Sequence, residues 1–194
     1  MSHLLREVKR FKIYDIFPCV KIPANVRFIA QADINIHQAI PYLFLRFPPA
    51  IAKYSTKTNI LILEIWNRMI TFFPSGRIGI TNTAGMDEGK EILEKIREEI
   101  NLAFMIHATR GPPTPGEITA HKNFKPVILY EYLPKTNCRL CGMASCMAFA
   151  FSVLANQKKL NRCVPLTDPD SMVLRNKLES ELSEFMLISL GWYS

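Results

Sequence analysis

The chain has 194 residues, 48% of them apolar and 21% charged, with a formal net charge of +7. That composition supports a buried core in one medium domain or two small ones, and it excludes wholesale disorder. The longest uncharged apolar runs, 147–155 and 185–193, are nine residues each, whereas a helix needs roughly 20 to cross a bilayer.

In chain order, MSHLLREVKRFKIYD has scattered charges and no apolar stretch, so it does not read as a secretory signal. The expected location is the cytoplasm, with membrane contact only through a partner. VRFIAQADI (26–34) reads as a strand bounded by Pro23, and NIHQAIPYLFLRFPPA as a helix with Pro41 in its first turn. NILILEIWN (59–67), MITFFPSG (69–76) and RIGITNT (77–83) read as strands, with Ser75-Gly76 marking a hairpin turn. GMDEGKEILEKIREEINLAFMI (85–106) reads as a helix, with Asp87 and Glu88 at its start and Ile92, Leu93, Ile96 and Ile100 on one face. The expected fold class is α+β, with a β-α-β-β-β-α domain over residues 1–108.

TRGPPTPGE (109–117) holds three prolines and two glycines and opens a linker placed at 109–125. Residues 126–194 read as a small helical four-cysteine module. In it, PVILYEYLP (126–134) is a short apolar element, and a helix is expected from about Ser145 to Leu160. Asp168 or Asp170 caps a last helix, SMVLRNKLESELSEFMLISL, with Leu174, Leu178, Leu182 and Phe185 on one face. LISLGWYS is expected to pack on its own domain.

Cys138, Cys141, Cys146 and Cys163 form the pattern C-x2-C-x4-C-x16-C. In a reducing compartment a tight cysteine cluster points to metal rather than disulfides, and soft thiolates select zinc, copper(I) or iron–sulfur clusters. Structural zinc usually takes its cysteines as two tight pairs. Three close cysteines and a distant fourth favour one [4Fe–4S] cluster over zinc and over free thiols. Cys19 stands apart and reads as a buried structural thiol. His3, His37, His107 and His121 show no ligand spacing and read as structural or surface residues; Trp66 and Phe72-Phe73 read as core.

Charge is unevenly spread. Residues 1–30 carry a net +4, residues 31–120 zero, residues 121–165 +6 and residues 166–194 −3. A basic field around the cysteines suits an anionic cofactor or an acidic partner surface. Lys135, Arg139 and Arg162 flank the cysteines, and a helix starting at Ser145-Cys146 would point its positive end at the cluster. Arg139 and Leu140, lodged between two cysteines, are the expected docking residues together with Lys135 and Arg162.

Two resemblances add to this reading. KYSTKTNILILEIWNRMITFFPSGRIGITNT, followed by an acidic helix, resembles one half of the TATA-box-binding-protein fold over about residues 25–104, mainly in the hairpin FFPSGRIGIT. The DNA-binding version pairs two halves and wedges phenylalanines between base steps; this chain holds one half, so the likeness implies a fold rather than DNA binding. LPKTNCRLCGMASCMAFAFSVLANQKKLNRC resembles the four-cysteine domain in the large subunit of the corrinoid iron–sulfur protein, over about residues 128–165. The whole chain also resembles small archaeal and bacterial iron–sulfur proteins that join the two kinds of module. The resemblance implies that the four cysteines are [4Fe–4S] ligands and that the protein passes single electrons to an oxidised cobalt(II) corrinoid. Arg139-Leu140 stand where that family usually has Gly-Glu, and Val164 precedes the proline that usually follows the last cysteine directly.

The leading expectation is thus a non-enzymatic redox accessory protein that binds a corrinoid protein, a methyltransferase or a related anaerobic complex. No P-loop, dinucleotide fingerprint or nucleophile–base motif marks an independent catalyst. A redox- or oxygen-responsive protective subunit is the second expectation, and nucleic-acid binding through basic surface ranks last.

Overall fold

The computed structural model describes residues 6–20, 22, 24–168 and 172–193. The chain forms two units: residues up to Phe44 with Ala52–Thr114, and Leu45–Ile51 with the residues from Pro115 onward.

The first unit carries β1 (Phe11–Pro18), β2 (Val26–Ala32), α1 (Ile40–Arg46) as far as Phe44, β3 (Ala52–Ser55), β4 (Ile60–Ile65), β5 (Arg68–Phe72), β6 (Arg77–Thr83) and α2 (Met86–Arg110). The strands form one antiparallel sheet in the order β1-β2-β6-β5-β4-β3. The element order β-α-β-β-β-α therefore needs correction: β1 and β3, the two edge strands, are additional. Edge position explains why their sequences do not announce them. Most β1 side chains are exposed and none is buried, and β3 is only four residues long.

Alternation in the inner strands is plain. Phe28, Ala30, Leu61, Leu63, Ile70, Phe72, Ile78 and Ile80 are all buried, and both helices lie on that side. Phe44 of α1 stacks on Tyr54, 5.2 Å between ring centroids. Gly89 of α2 approaches Phe28 so closely that an added Cβ would fall 2.9 Å from its ring. The stripe Ile92, Leu93, Ile96 and Ile100 is buried as expected and continues through Ala103 and Phe104. The turn at Ser75-Gly76 joins β5 to β6; Gly76 has φ +90°, and a Cβ there would meet the Ile34 carbonyl at 2.4 Å. Two aromatic expectations fail: Phe72 is core, but Trp66 is 46% exposed on the β4–β5 turn, and Phe73 is half-buried beyond the end of β5.

The second unit is helical: α3 (Pro115–Asn123), α4 (Pro126–Tyr130), α5 (Cys146–Leu154), a 3-10 turn (Leu160–Arg162), α6 (Val164–Thr167), α7 (Met172–Glu181) and α8 (Glu184–Ser189). Helix α3 occupies much of the segment expected to be linker; its prolines precede or start the helix, where a missing N–H costs nothing. The helix expected to run to Leu160 stops at Leu154, because Asn156 turns left-handed (φ 57°) and the Gln157 and Lys158 amides both fold back on the Ser152 carbonyl. The last expected helix is two, with Ser183 capping the second by accepting the Met186 N–H. Leu178 and Phe185 are buried, and Leu174 and Leu182 pack beside the core. The expected caps fall at an exposed Asp168 and at Asp170, which lies outside the described residues, as does Pro23. The C-terminal segment packs on its own unit, with Leu187 and Leu190 in the core and the Leu160 amide bonded to the Leu190 carbonyl. Among the described residues no helix is long and apolar enough to cross a membrane.

His121 of α3 ties segment 45–51 into this unit. Its Nε2 lies 2.9 Å from the Phe47 carbonyl, to which it donates, and burial pushes the imidazole down to about 4. The unfolded chain therefore takes up this proton more readily than the folded one. The neutral ring's full contribution is present above pH 6.5 and is lost as the pH falls towards 4, a loss of about 3 kcal/mol. Urea midpoints measured at pH 7.5 and 4.5 should fall accordingly, and His121→Gln should flatten that dependence.

Candidate metal centre

Cys146 and Cys163 belong to the hydrophobic core of the second unit, together with Phe149, Val153, Leu160 and Leu166. Cys146 begins α5, and Cys163 lies between the 3-10 turn and α6. Cys141 is partly buried and Cys138 exposed, both on the loop between α4 and α5. All four line one cavity, with Thr136, Asn137, Arg139 and Met143 among its walls. Cys19 is a buried thiol of the first unit and takes no part.

The loop gains its shape from left-handed residues. Lys135, Asn137 and Arg139 have φ of 59°, 51° and 62°, and Gly142 has φ 80°. Asparagine and glycine tolerate this region, whereas lysine and arginine in it carry strain of about 1 kcal/mol or more each. Such strain persists only where surrounding contacts fix it. Here the Cys146 N–H donates to Asn137 Oδ1 at 2.9 Å, which fastens the loop to the first turn of α5. Ser145 caps the same turn by accepting the Ala148 N–H at 3.1 Å, an interaction worth about 1 kcal/mol. The Gly142 N–H closes the loop onto the Arg139 carbonyl at 2.8 Å.

Electrostatics differ across the four thiols. The Leu140 N–H and then the Thr136 hydroxyl hold the exposed Cys138 thiol below its ordinary value. Burial pushes Cys163 up to about 11; the Leu166 N–H works against that rise, and the other three thiols add to it. Thiols on two separate chain segments thus sense one another across the cavity. Among the described residues, no three Cys, His, Asp or Glu side chains close to the spacing of a single-ion site. This donor set of soft sulfurs, two anchored in a core and two on a shaped loop, suits a thiolate-held iron–sulfur group.

Of the expected docking residues, Arg139 lines the cavity, Leu140 is 63% exposed beside Cys141, and Arg162 is exposed one residue before Cys163. Lys135 is turned to Glu131, with its Nζ 2.6 Å from Oε2, so its charge is largely spent there. Sequence reasoning missed Thr136 and Asn137 as supports, although an asparagine one residue before a cysteine offers the hint. It also missed Lys158, whose Nζ lies within 4 Å of where a Gly142 Cβ would stand.

Residues 133–165 match the family model described as a putative Fe–S cluster. The acetyl-CoA decarbonylase/synthase complex subunit gamma of Methanocaldococcus jannaschii is 42% identical over 48 residues, 25% of this chain and 10% of that protein. Its Methanothermobacter thermautotrophicus counterpart is 39% identical over 56 residues, 29% of this chain and 12% of that protein. A component of the ion-translocating oxidoreductase complex of Buchnera aphidicola is 37% identical over 38 residues, 20% of this chain and 23% of that protein. The chain thus spans about a tenth of the length of the gamma subunits it matches. No solved structure matches it. These likenesses support an iron–sulfur protein.

The thiol order can be read without any metal bound. In reduced, metal-free protein alkylated at pH 8, Cys138 should react first and Cys163 last. A thiol at about 11 reacts on the order of 100-fold more slowly than one at its ordinary value, through thiolate fraction alone. Mass spectrometry of timed samples checks this order.

Proposed function

We propose that Cys138, Cys141, Cys146 and Cys163 hold one [4Fe–4S] cluster, and that the protein is a non-catalytic accessory subunit passing single electrons to a corrinoid-dependent methyltransferase or a related anaerobic complex. The observation that carries the ligand set is the convergence of all four thiols, from two chain segments, on one cavity. Zinc would draw four sulfurs to within about 3.8 Å of one another, given Zn–S bonds of about 2.3 Å. A cubane carries each thiolate on a different iron and so spreads them.

The partner class rests on the match to gamma subunits of acetyl-CoA decarbonylase/synthase complexes and on the motif LPKTNC-x2-CG-x3-CMAFA. When bound, the cluster supplies one electron at a time, which is what returning cobalt(II) to cobalt(I) requires. The chain's own residues set the conditions. Core burial of Cys146 and Cys163 excludes water from the inner side. Exposure of Cys138 and Leu140 leaves the outer side open to a partner, and Arg139 and Arg162 supply positive charge there. That surface fits an acidic rim on the partner, whose encounter is steered by charge.

Protein purified anaerobically should carry about four iron and four sulfide per chain, with a broad visible absorbance that bleaches under dithionite. Single Cys→Ser substitutions at the four positions should lower bound iron several-fold, while Cys19→Ser should not. Stoichiometric zinc without iron would sink the ligand assignment. Reduced protein should generate cobalt(I) when mixed with a cobalt(II) corrinoid protein, at a rate that falls with added salt and with Arg139→Glu. Binding that is tight in one oxidation state only, with no cobalt(I) formed, would replace electron delivery with a redox-responsive protective role.

A further inference from the structure

Where α5 ends, the chain doubles back on the cysteine loop. Asn156 turns left-handed, and the Gln157 and Lys158 amides both donate to the Ser152 carbonyl. Two contacts fix this return. The Ser152 hydroxyl lies 3.7 Å from Met143 Sδ, on the loop itself, and the Leu160 amide donates to the Leu190 carbonyl while the Leu160 side chain is fully buried. The two lysines between them diverge. Lys159 lies along Gly191, where an added Cβ would fall 2.9 Å from its Cδ. Lys158 instead reaches over the loop, and its Nζ stands 3.9 Å from where a Gly142 Cβ would lie.

Gly142 is the residue after Cys141. Its φ of 80° suits glycine, so no side chain separates the ammonium from the main chain of the loop. Among the described residues nothing neutralises Lys158: it has no ion pair and no hydrogen-bond acceptor. The one acid between residues 121 and 165 is Glu131, and Lys135 holds it at 2.6 Å. Lys158 is thus a full positive charge set against the segment that carries Cys138 and Cys141, and that charge is unspent.

We propose that Lys158 sets the electrostatics on the Cys141 side of the centre, its ammonium favouring negative charge on the thiolates there and on the group they hold. The redox half of this inference rests on the ligand assignment made above. One-electron reduction adds one negative charge to a thiolate-held iron–sulfur group, so a cation beside it makes that electron easier to accept. Lys158 is exposed, and water screens its field, so the effect is a severalfold change in equilibrium rather than the far larger one of a buried charge. Lys159 carries the same charge one residue away and is turned elsewhere, which makes it the matched control.

The test is a mediated dithionite titration of full-length protein purified anaerobically, followed by its visible absorbance. Lys158→Gln should leave iron per chain unchanged and make the centre about threefold harder to reduce, ~28 mV lower for one electron. Lys158→Arg should keep the wild-type value, and Lys159→Gln, with the same loss of net charge, should not move it. A second measurement needs no iron. In reduced, metal-free protein at low salt, the rate of Cys141 alkylation by anionic iodoacetate relative to neutral iodoacetamide should fall about threefold in Lys158→Gln and hold in Lys159→Gln. That ratio cancels the thiolate fraction and reads the local field alone. Iron-free wild-type protein overturns the cluster reading, and the alkylation ratio then decides Lys158 by itself. An unchanged potential in iron-loaded Lys158→Gln, an equal drop in Lys159→Gln, or iron loss that Lys158→Arg does not repair overturns the role of Lys158 while the four-cysteine assignment stands. An alkylation ratio indifferent to Lys158 overturns it as well.

Discussion

One hydrogen bond holds the cysteine site together: the Cys146 amide on Asn137 Oδ1. Cys146 starts a helix whose far side is core, so its position is set by Phe149, Ala150 and Val153 packing inward. Cys138 has no such anchor, being exposed on a loop whose backbone passes through three left-handed non-glycine residues. The Asn137 side chain transmits the rigidity of the core to that loop. Without it, the loop keeps only its own closures, the Gly142 N–H on the Arg139 carbonyl and the Lys135–Glu131 pair, and neither ties it to α5. The proposed four-cysteine site needs both halves fixed, and the chain supplies one by burial and the other by an amide.

The same division explains what could be read ahead of the structure. Cysteine spacing is a local property, and so is a helix start at Ser145-Cys146 ahead of an apolar run, where the structure begins α5. The buried alternation of β4 and the stripe of α2 were equally plain, because each residue meets the core at a fixed period. The edge strands β1 and β3 carry no such period, since half or more of their surface faces water. Left-handed turns at Lys135 and Arg139 are unreadable, because nothing in those side chains favours the conformation; only closure of the loop selects it.

Charge shows a related limit. Residues 31–120 sum to zero, which argues against a polyanion partner if charge is counted along the chain. Folding separates what the sum cancels. The acids concentrate on a helix that covers one face of the sheet, while Arg27 and Arg77, fifty residues apart in sequence, face the other way with Lys12. That side draws Lys12 and Arg27 from the +4 stretch before residue 31, and only Arg77 from the neutral one. Phe73 follows the same logic, since the residue after a buried Phe72 must point to the opposite face.

Around the cysteines the accounting runs the other way, because an apparent excess of positive charge is partly consumed. Lys135 is bonded to Glu131, and the Cys146 and Ala148 amides at the start of α5 are taken by Asn137 and Ser145. The donors left to act on the thiolates are few: the Leu140 amide and Thr136 hydroxyl at Cys138, and the Leu166 amide at Cys163. A buried anionic group with few direct donors holds an added electron less readily, because its reduced form carries still more charge into a poorly compensating interior. Arg139 and Arg162, next in sequence to Cys138 and Cys163, stand on the exposed side. If the proposed cluster and docking surface hold, charge compensation would be concentrated where a partner docks, and docking itself would alter how tightly the electron is held.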